Sequence, residues 1–155
     1  MTGVNRLPAA LLLCLTTSVF AGGNDASPDA FELTLTRESC FGTCPMYTVH
    51  VNGNGAVDWN GERWVKVTGP LKASVGQGNL VRLRQAVQAS NFFSLRDEYL
   101  AMSVSDLPYA SVEVRQGARR KKIRYYLGDP GVPSALLNLA KTADRELGTA
   151  TWIGR

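Results

Sequence analysis

Alternation of apolar and polar side chains at every second residue sets the strongest limit on how this chain can fold. Phe31, Leu33 and Leu35 alternate with Glu32, Thr34 and Thr36, and Tyr47, Val49 and Val51 alternate with Met46, Thr48, His50 and Asn52. A period of two belongs to a strand with one face buried. How such strands pair depends on the turns between them. If Gly53-Asn54-Gly55 is a three-residue loop with Gly55 left-handed, Val51 faces Val57 and Val49 faces Trp59 on one side of the sheet. A two-residue loop would set Val49 against Asp58, so the three-residue loop is expected. Asn60-Gly61 then reads as a two-residue hairpin turn that places Asp58 opposite Arg63 and Val57 opposite Trp64. The first half is expected to be a four-stranded meander.

Between Gly78 and Ser90 the spacing of Leu80, Leu83 and Val87 predicts an amphipathic helix, with Phe92, Phe93 and Leu95 packed beneath its end. A second hairpin follows, with Val112 and Val114 on one arm, Gln116-Gly117-Ala118 at the tip, and Ile123, Tyr125 and Leu127 on the other. Pro133 suits the first turn of a last helix, Leu136, Ala140, Ala143 and Leu147 form its stripe, and Gly148 is placed to end it. The order ββββ-α-ββ-α predicts an α+β fold, an antiparallel sheet with two helices on one face in a two-layer sandwich. The opposite face stays open, and alternation places His50 there with Thr34, Thr36 and Thr48.

Arg6, the apolar run Ala9 to Phe20 and the small-residue site Val19-Phe20-Ala21 predict a signal peptide, 1–21, cleaved after Ala21. The run is shorter than the ~18 residues that would span a bilayer, so no transmembrane anchor is expected. Leu13 directly precedes Cys14, where a lipoprotein would carry a small residue, which favours a free periplasmic or secreted protein. Residues 22–30 read as a flexible lead-in, and 31–153 as a single domain, large enough for one core.

With Cys14 removed in the leader, Cys40 and Cys44 have no partner but each other, and an oxidising compartment favours a disulfide between them. Two other readings stay open. Redox chemistry lacks the C-x-x-C spacing and βαβ setting of thioredoxin-like proteins, and a metal site would need two further ligands in a chain with one histidine. A nucleophilic pairing of cysteine with His50 would require a free, activated thiol.

Without Arg6, sixteen Lys and Arg oppose thirteen Asp and Glu, too mild an excess to imply nucleic acid. Arg115, Arg119, Arg120, Lys121, Lys122 and Arg124 nevertheless fall within ten residues, and such a block attracts anions. It equally suits a solvated hairpin edge, where cations discourage edge-to-edge pairing. Asp97, Glu98 and Asp106 precede this hairpin, and Ser105-Asp106-Leu107-Pro108 reads as a turn. No G-x-S-x-G, Walker A, H-E-x-x-H or dinucleotide fingerprint occurs, and no cofactor or metal is expected.

The set Cys40-Phe41-Gly42-x-Cys44-Pro45-x-Tyr47, Gly53, Gly55, Val57, Gly61, Phe92-Phe93-x-Leu95, Tyr99 and Asp106-x-Pro108 resembles a bacterial domain-of-unknown-function family of small exported proteins and lipoproteins. The resemblance runs from about Phe31 to Gly148. It implies an exported α+β domain and supplies no activity. The leading expectation is a non-catalytic exported binding or interaction domain whose partner is an envelope protein or an acidic envelope polymer. Its alternatives are a thiol-dependent redox protein or enzyme using Cys40 and Cys44, and a polyanion binder working through the hairpin 115–124.

Overall fold

A computed structural model of the chain describes residues 30–100 and 106–154; the expected leader with Cys14 and its cleavage site, most of the lead-in, and Ser105 lie outside them. Seven strands form one open sheet in the order β4-β3-β2-β1-β6-β7-β5. They are β1 (Phe31–Arg37), β2 (Met46–Asn52), β3 (Ala56–Arg63), β4 (Gly69–Ser74), β5 (Glu98–Tyr99), β6 (Tyr109–Gln116) and β7 (Arg119–Tyr126). All neighbours pair antiparallel except β5 and β7, which are parallel. The helices are α1 (Gln77–Ala89), α2 (Ser134–Leu147) and the short α3 (Thr149–Ile153), with a 3-10 turn at Phe92–Ser94. This is the expected α+β architecture.

The core lies between one sheet face and the helices. Leu33, Leu35, Val49, Val51, Val57, Trp59, Val112, Val114 and Ile123 are buried there with Leu80, Leu83 and Val87 of α1 and Leu136, Ala140, Ala143 and Leu147 of α2. Fully burying one such side chain contributes about 1.5–3 kcal/mol, so this continuous layer fixes which face of each strand points inward. The β2–β3 register is the expected one: Val49 pairs with Trp59 and Val51 with Val57, and Gly55 has a φ of 85°. A Cβ at Gly55 would also strike the Val75 carbonyl oxygen, so two independent reasons hold glycine there. Gly148 ends α2 in the left-handed conformation, as its position predicts.

The turn expected at Asn60-Gly61 does not form. Strand β3 runs on to Arg63, residues 64–68 make the connection, and the fourth strand is Gly69–Ser74, so that Asp58 pairs with Lys72 and Val57 with Ala73. Gly61 serves close approach rather than a turn. The 64–68 loop folds back so that Val67 accepts a 3.0 Å hydrogen bond from Trp59 Nε1, and a Cβ on Gly61 would collide with that carbonyl oxygen and with Val65. The same loop is tied to α3 through Lys66 N–H to Ile153 O (3.2 Å) and Val67 N–H to Trp152 O (2.9 Å). These tertiary bonds outweigh a local hairpin propensity.

Two smaller corrections concern the second hairpin. Its tip is the two residues Gly117-Ala118, because Gln116 is still paired with Arg119, and Gly117 at φ 60° suits the first position of a two-residue turn. Leu127 lies beyond β7 and is exposed, whereas Tyr126 is buried on the outer face against Tyr109, ring centroids 5.3 Å apart. Strand β5 and α3 had no counterpart in the sequence pattern; two and five residues are too few to display a period.

Candidate functional site

Antiparallel pairing brings four connections to one end of the sheet: 38–45 after β1, 64–68 after β3, 106–108 before β6 and 127–133 after β7. The first of these is closed by a Cys40–Cys44 disulfide, with Cα atoms 5.8 Å apart, an ordinary spacing for a bridged pair. The expected bond is therefore present in the structure.

Beside it, Arg37, Cys44, Pro45, Tyr47, Pro108, Leu127, Asp144 and Ile153 line a recess of about 290 Å³. The alternation Phe31, Leu33, Leu35 carries on one step too far, so Arg37 points to the helix side. Asp144, next to the buried stripe residue Ala143 on α2, meets it: Arg37 Nη2 donates to Asp144 Oδ2 at 2.8 Å. Tyr47 Oη donates to Asp144 Oδ1 at 2.5 Å and Thr149 Oγ1 to the same oxygen at 2.9 Å. Tyr47 is further fixed by stacking on Trp59, centroids 4.7 Å apart, and Trp59 packs on Trp152 of α3 at 5.2 Å.

The electrostatics follow from this enclosure. Burial, reinforced by the Asp144 charge and hydrogen bond, raises the Tyr47 phenol well above the tyrosine range despite the opposing Arg37. Burial likewise raises Tyr125, whose hydroxyl is enclosed and feels the Arg37 charge, yet makes no hydrogen bond of sound geometry. Burial opposes the charge on Arg37, but the surrounding Tyr125, Asp144 and Tyr47 more than offset it, and the guanidinium stays charged. The sequence signal for this group was the inward register of Arg37; Asp144 gave none, because a helical carboxylate beside an apolar stripe is usually solvated.

The basic residues come together on the β6–β7 hairpin but are largely compensated. Arg115 pairs with Glu32 (3.3 Å), Arg120 with Glu113 (2.5 Å), Lys121 with Asp97 (2.8 Å) and Arg124 with Glu38 through two bonds of 2.7 and 3.0 Å. Arg119 lies over the Phe93 ring at 4.3 Å, and Lys122 makes no ion pair among the described residues. Lys121 also donates to the Leu95 carbonyl, which ties the hairpin to the segment after α1.

His50 lies on the open face, as expected. Lys72, Asp58, His50, Thr34, Glu113 and Lys122 occupy successive register positions across six strands. Thr34 Oγ1 and His50 Nδ1 are 3.0 Å apart, Thr36 and Thr48 hydroxyls 3.2 Å, and Asp58 is held below the usual carboxylate range by its hydrogen bond from Lys72. The histidine thus lies on the open face, whereas the cysteines lie on the 38–45 connection at the end of the sheet. Among the described residues no three His, Cys, Asp or Glu side chains are placed to hold a metal ion.

Residues 31–147 match the family described as a domain of unknown function, DUF6438. The chain belongs to this family. The matched span runs from the first residue of β1 to the last of α2, and so contains the disulfide, Arg37, Tyr47, Asp144, His50 and the basic hairpin, while α3 lies beyond it. No curated protein matches the chain. No described helix is long and apolar enough to cross a membrane.

Chemically, the polar groups of the recess are engaged with one another. Both Asp144 oxygens accept hydrogen bonds within the fold, which leaves the carboxylate poorly placed as a general base. The sulfurs are bonded to each other, and the phenols are held neutral.

Proposed function

We propose that this chain is an exported, non-catalytic binding domain that contacts its partner through the end of the sheet closed by the Cys40–Cys44 loop. One observation carries the reading. Among the described residues five large apolar side chains stand exposed; Phe41, Trp64, Leu107 and Leu127 lie on connections at this end and Val81 lies elsewhere. Scattered exposed apolar residues need no explanation, but a cluster around a concave site marks a contact surface. The disulfide supports export into an oxidising compartment, periplasmic or extracellular.

The thiol-dependent alternative requires Cys40 and Cys44 to be reduced, and the polyanion alternative requires the hairpin charges to be available, whereas four of its six cations are engaged with carboxylates. Capture from envelope extract with the mature chain, wild type against Phe41→Ser and Leu127→Asp, tests the proposal. Loss of the captured partner in both variants is expected; undiminished capture overturns the assignment of this end.

A further inference from the structure

The recess has a surplus of hydrogen-bond donors and no surplus of charge. A guanidinium carries five N–H donors; the well-formed side-chain hydrogen bond of Arg37 is the one from Nη2 to Asp144, and the Tyr47 and Tyr125 phenols lie close beside the guanidinium. The carboxylate beside it has Tyr47 and Thr149 on its other oxygen, so both carboxylate oxygens are engaged while guanidinium donors remain. The Tyr125 hydroxyl is enclosed behind Arg37 and does not line the recess, so it adds nothing to this count. Arg37 and Asp144 cancel each other's charge at 2.8 Å. An anionic ligand would bring a net negative charge into a half-enclosed, already neutral site, which desolvation makes costly. A neutral acceptor faces no such cost. The remaining walls, Pro45, Pro108, Leu127 and Ile153, are apolar.

Resting on the contact surface proposed above, we infer that the recess binds an uncharged, apolar stretch of an extended partner polypeptide, with a backbone carbonyl accepting from Arg37. Apolar side chains flanking that carbonyl lie against Leu127 and Ile153, and the chain leaves the recess over exposed Phe41. A polypeptide suits this better than a small molecule because exposed Phe41 and Leu107 lie on the same connections as the lining residues Cys44 and Pro108. It suits better than a bilayer because the feature is concave and offers directed donors. Recognition of this kind depends little on ionic strength, unlike binding through the basic hairpin.

The test uses fluorescence anisotropy with the mature full chain and capped, labelled decapeptides whose central Leu, Phe or Pro pair is flanked by Ser and Gly. The same peptides ending in a free carboxylate directly after the apolar pair form a second set, and phosphatidylcholine–phosphatidylglycerol vesicles a third probe. Expected are binding of capped peptides, weakening by about ten-fold or more in Leu127→Asp and in Arg37→Lys, and less than about two-fold change between about 50 and 500 mM salt. Melting curves serve as the control, with the fold expected to survive Leu127→Asp because that side chain is exposed. Preference for the free-carboxylate set, binding of vesicles in place of peptides, or no binding of any capped peptide overturns the inference. If an envelope partner is captured and lost on Leu127→Asp while capped peptides fail, the inference falls and the contact surface stands; if capture is indifferent to Leu127→Asp, both fall.

Discussion

Replacing Tyr47 by phenylalanine isolates the hydroxyl that anchors the recess. The ring keeps its stacking on Trp59 at 4.7 Å and its buried position, so packing is preserved and the change falls on one interaction, the 2.5 Å bond to Asp144. Asp144 retains Thr149 and Arg37 as donors and is not left unpaired. A hydrogen bond to a charged group contributes about 1.5–3 kcal/mol; because the Asp144 side chain is 26% exposed, water recovers part of this and the expected loss lies near the lower end, about 1.5 kcal/mol. The pH dependence gives a second readout. Tyr47 and Tyr125 are both raised above the ordinary tyrosine value of about 10. Their contribution is complete below pH 10, and it is lost as pH rises because the unfolded chain releases protons that the folded chain retains. Each such phenol costs up to about 1.4 kcal/mol per pH unit above 10, so the two together give up to about 2.7 and Tyr47→Phe should halve that slope. Urea unfolding followed by tryptophan fluorescence at pH 7, 9, 10 and 11 measures both quantities. A loss below about 0.5 kcal/mol at pH 7 with an unaltered alkaline slope would refute the network.

Trp59→Ala removes a buried indole packed between Tyr47 and Trp152 and should cost about 3–5 kcal/mol in urea unfolding, with Trp59→Phe costing less and losing chiefly the bond to Val67. Gly61→Ala should destabilise severely because the added carbon meets the Val67 carbonyl, whereas Asn60→Ala, exposed and outside any turn, should be nearly neutral; equal effects in thermal melts would restore the hairpin turn at this pair. Cys40 and Cys44 should resist alkylation without reductant, and the double serine variant should lose about 2 kcal/mol, the loop-entropy value for so small a ring.

Every core-facing residue on β1, β2 and the start of β3 was legible from alternation alone, because the sheet has one wet face and a one-residue slip would expose Leu33, Val49 and Val51 together. The two long helices were legible for the same reason at a period of 3.6, and the cysteine pair from the nearness of Cys40 and Cys44 in sequence together with the expectation that Cys14 belongs to a leader. These are local patterns, each repeated often enough to be read without knowing what lies opposite. Gly61 shows the boundary of that logic. As a dipeptide Asn60-Gly61 is a turn signal, but the decision belongs to a carbonyl six residues later that Trp59 and α3 hold in place. The candidate site lies wholly beyond the boundary. Arg37 and Asp144 are separated by more than a hundred positions, Arg37 showed only an inward register and Asp144 no signal at all, and only the docking of α2 across the end of β1 turned them into a half-buried pair. The same holds for the basic run, a conspicuous charge in sequence that Glu32, Glu38, Asp97 and Glu113 largely neutralise once β1, β6 and β7 lie side by side. Periodic burial is a property of one segment against solvent, so sequence records it; ion pairing and concavity are properties of segments against each other, and they exist only after the chain has closed on itself.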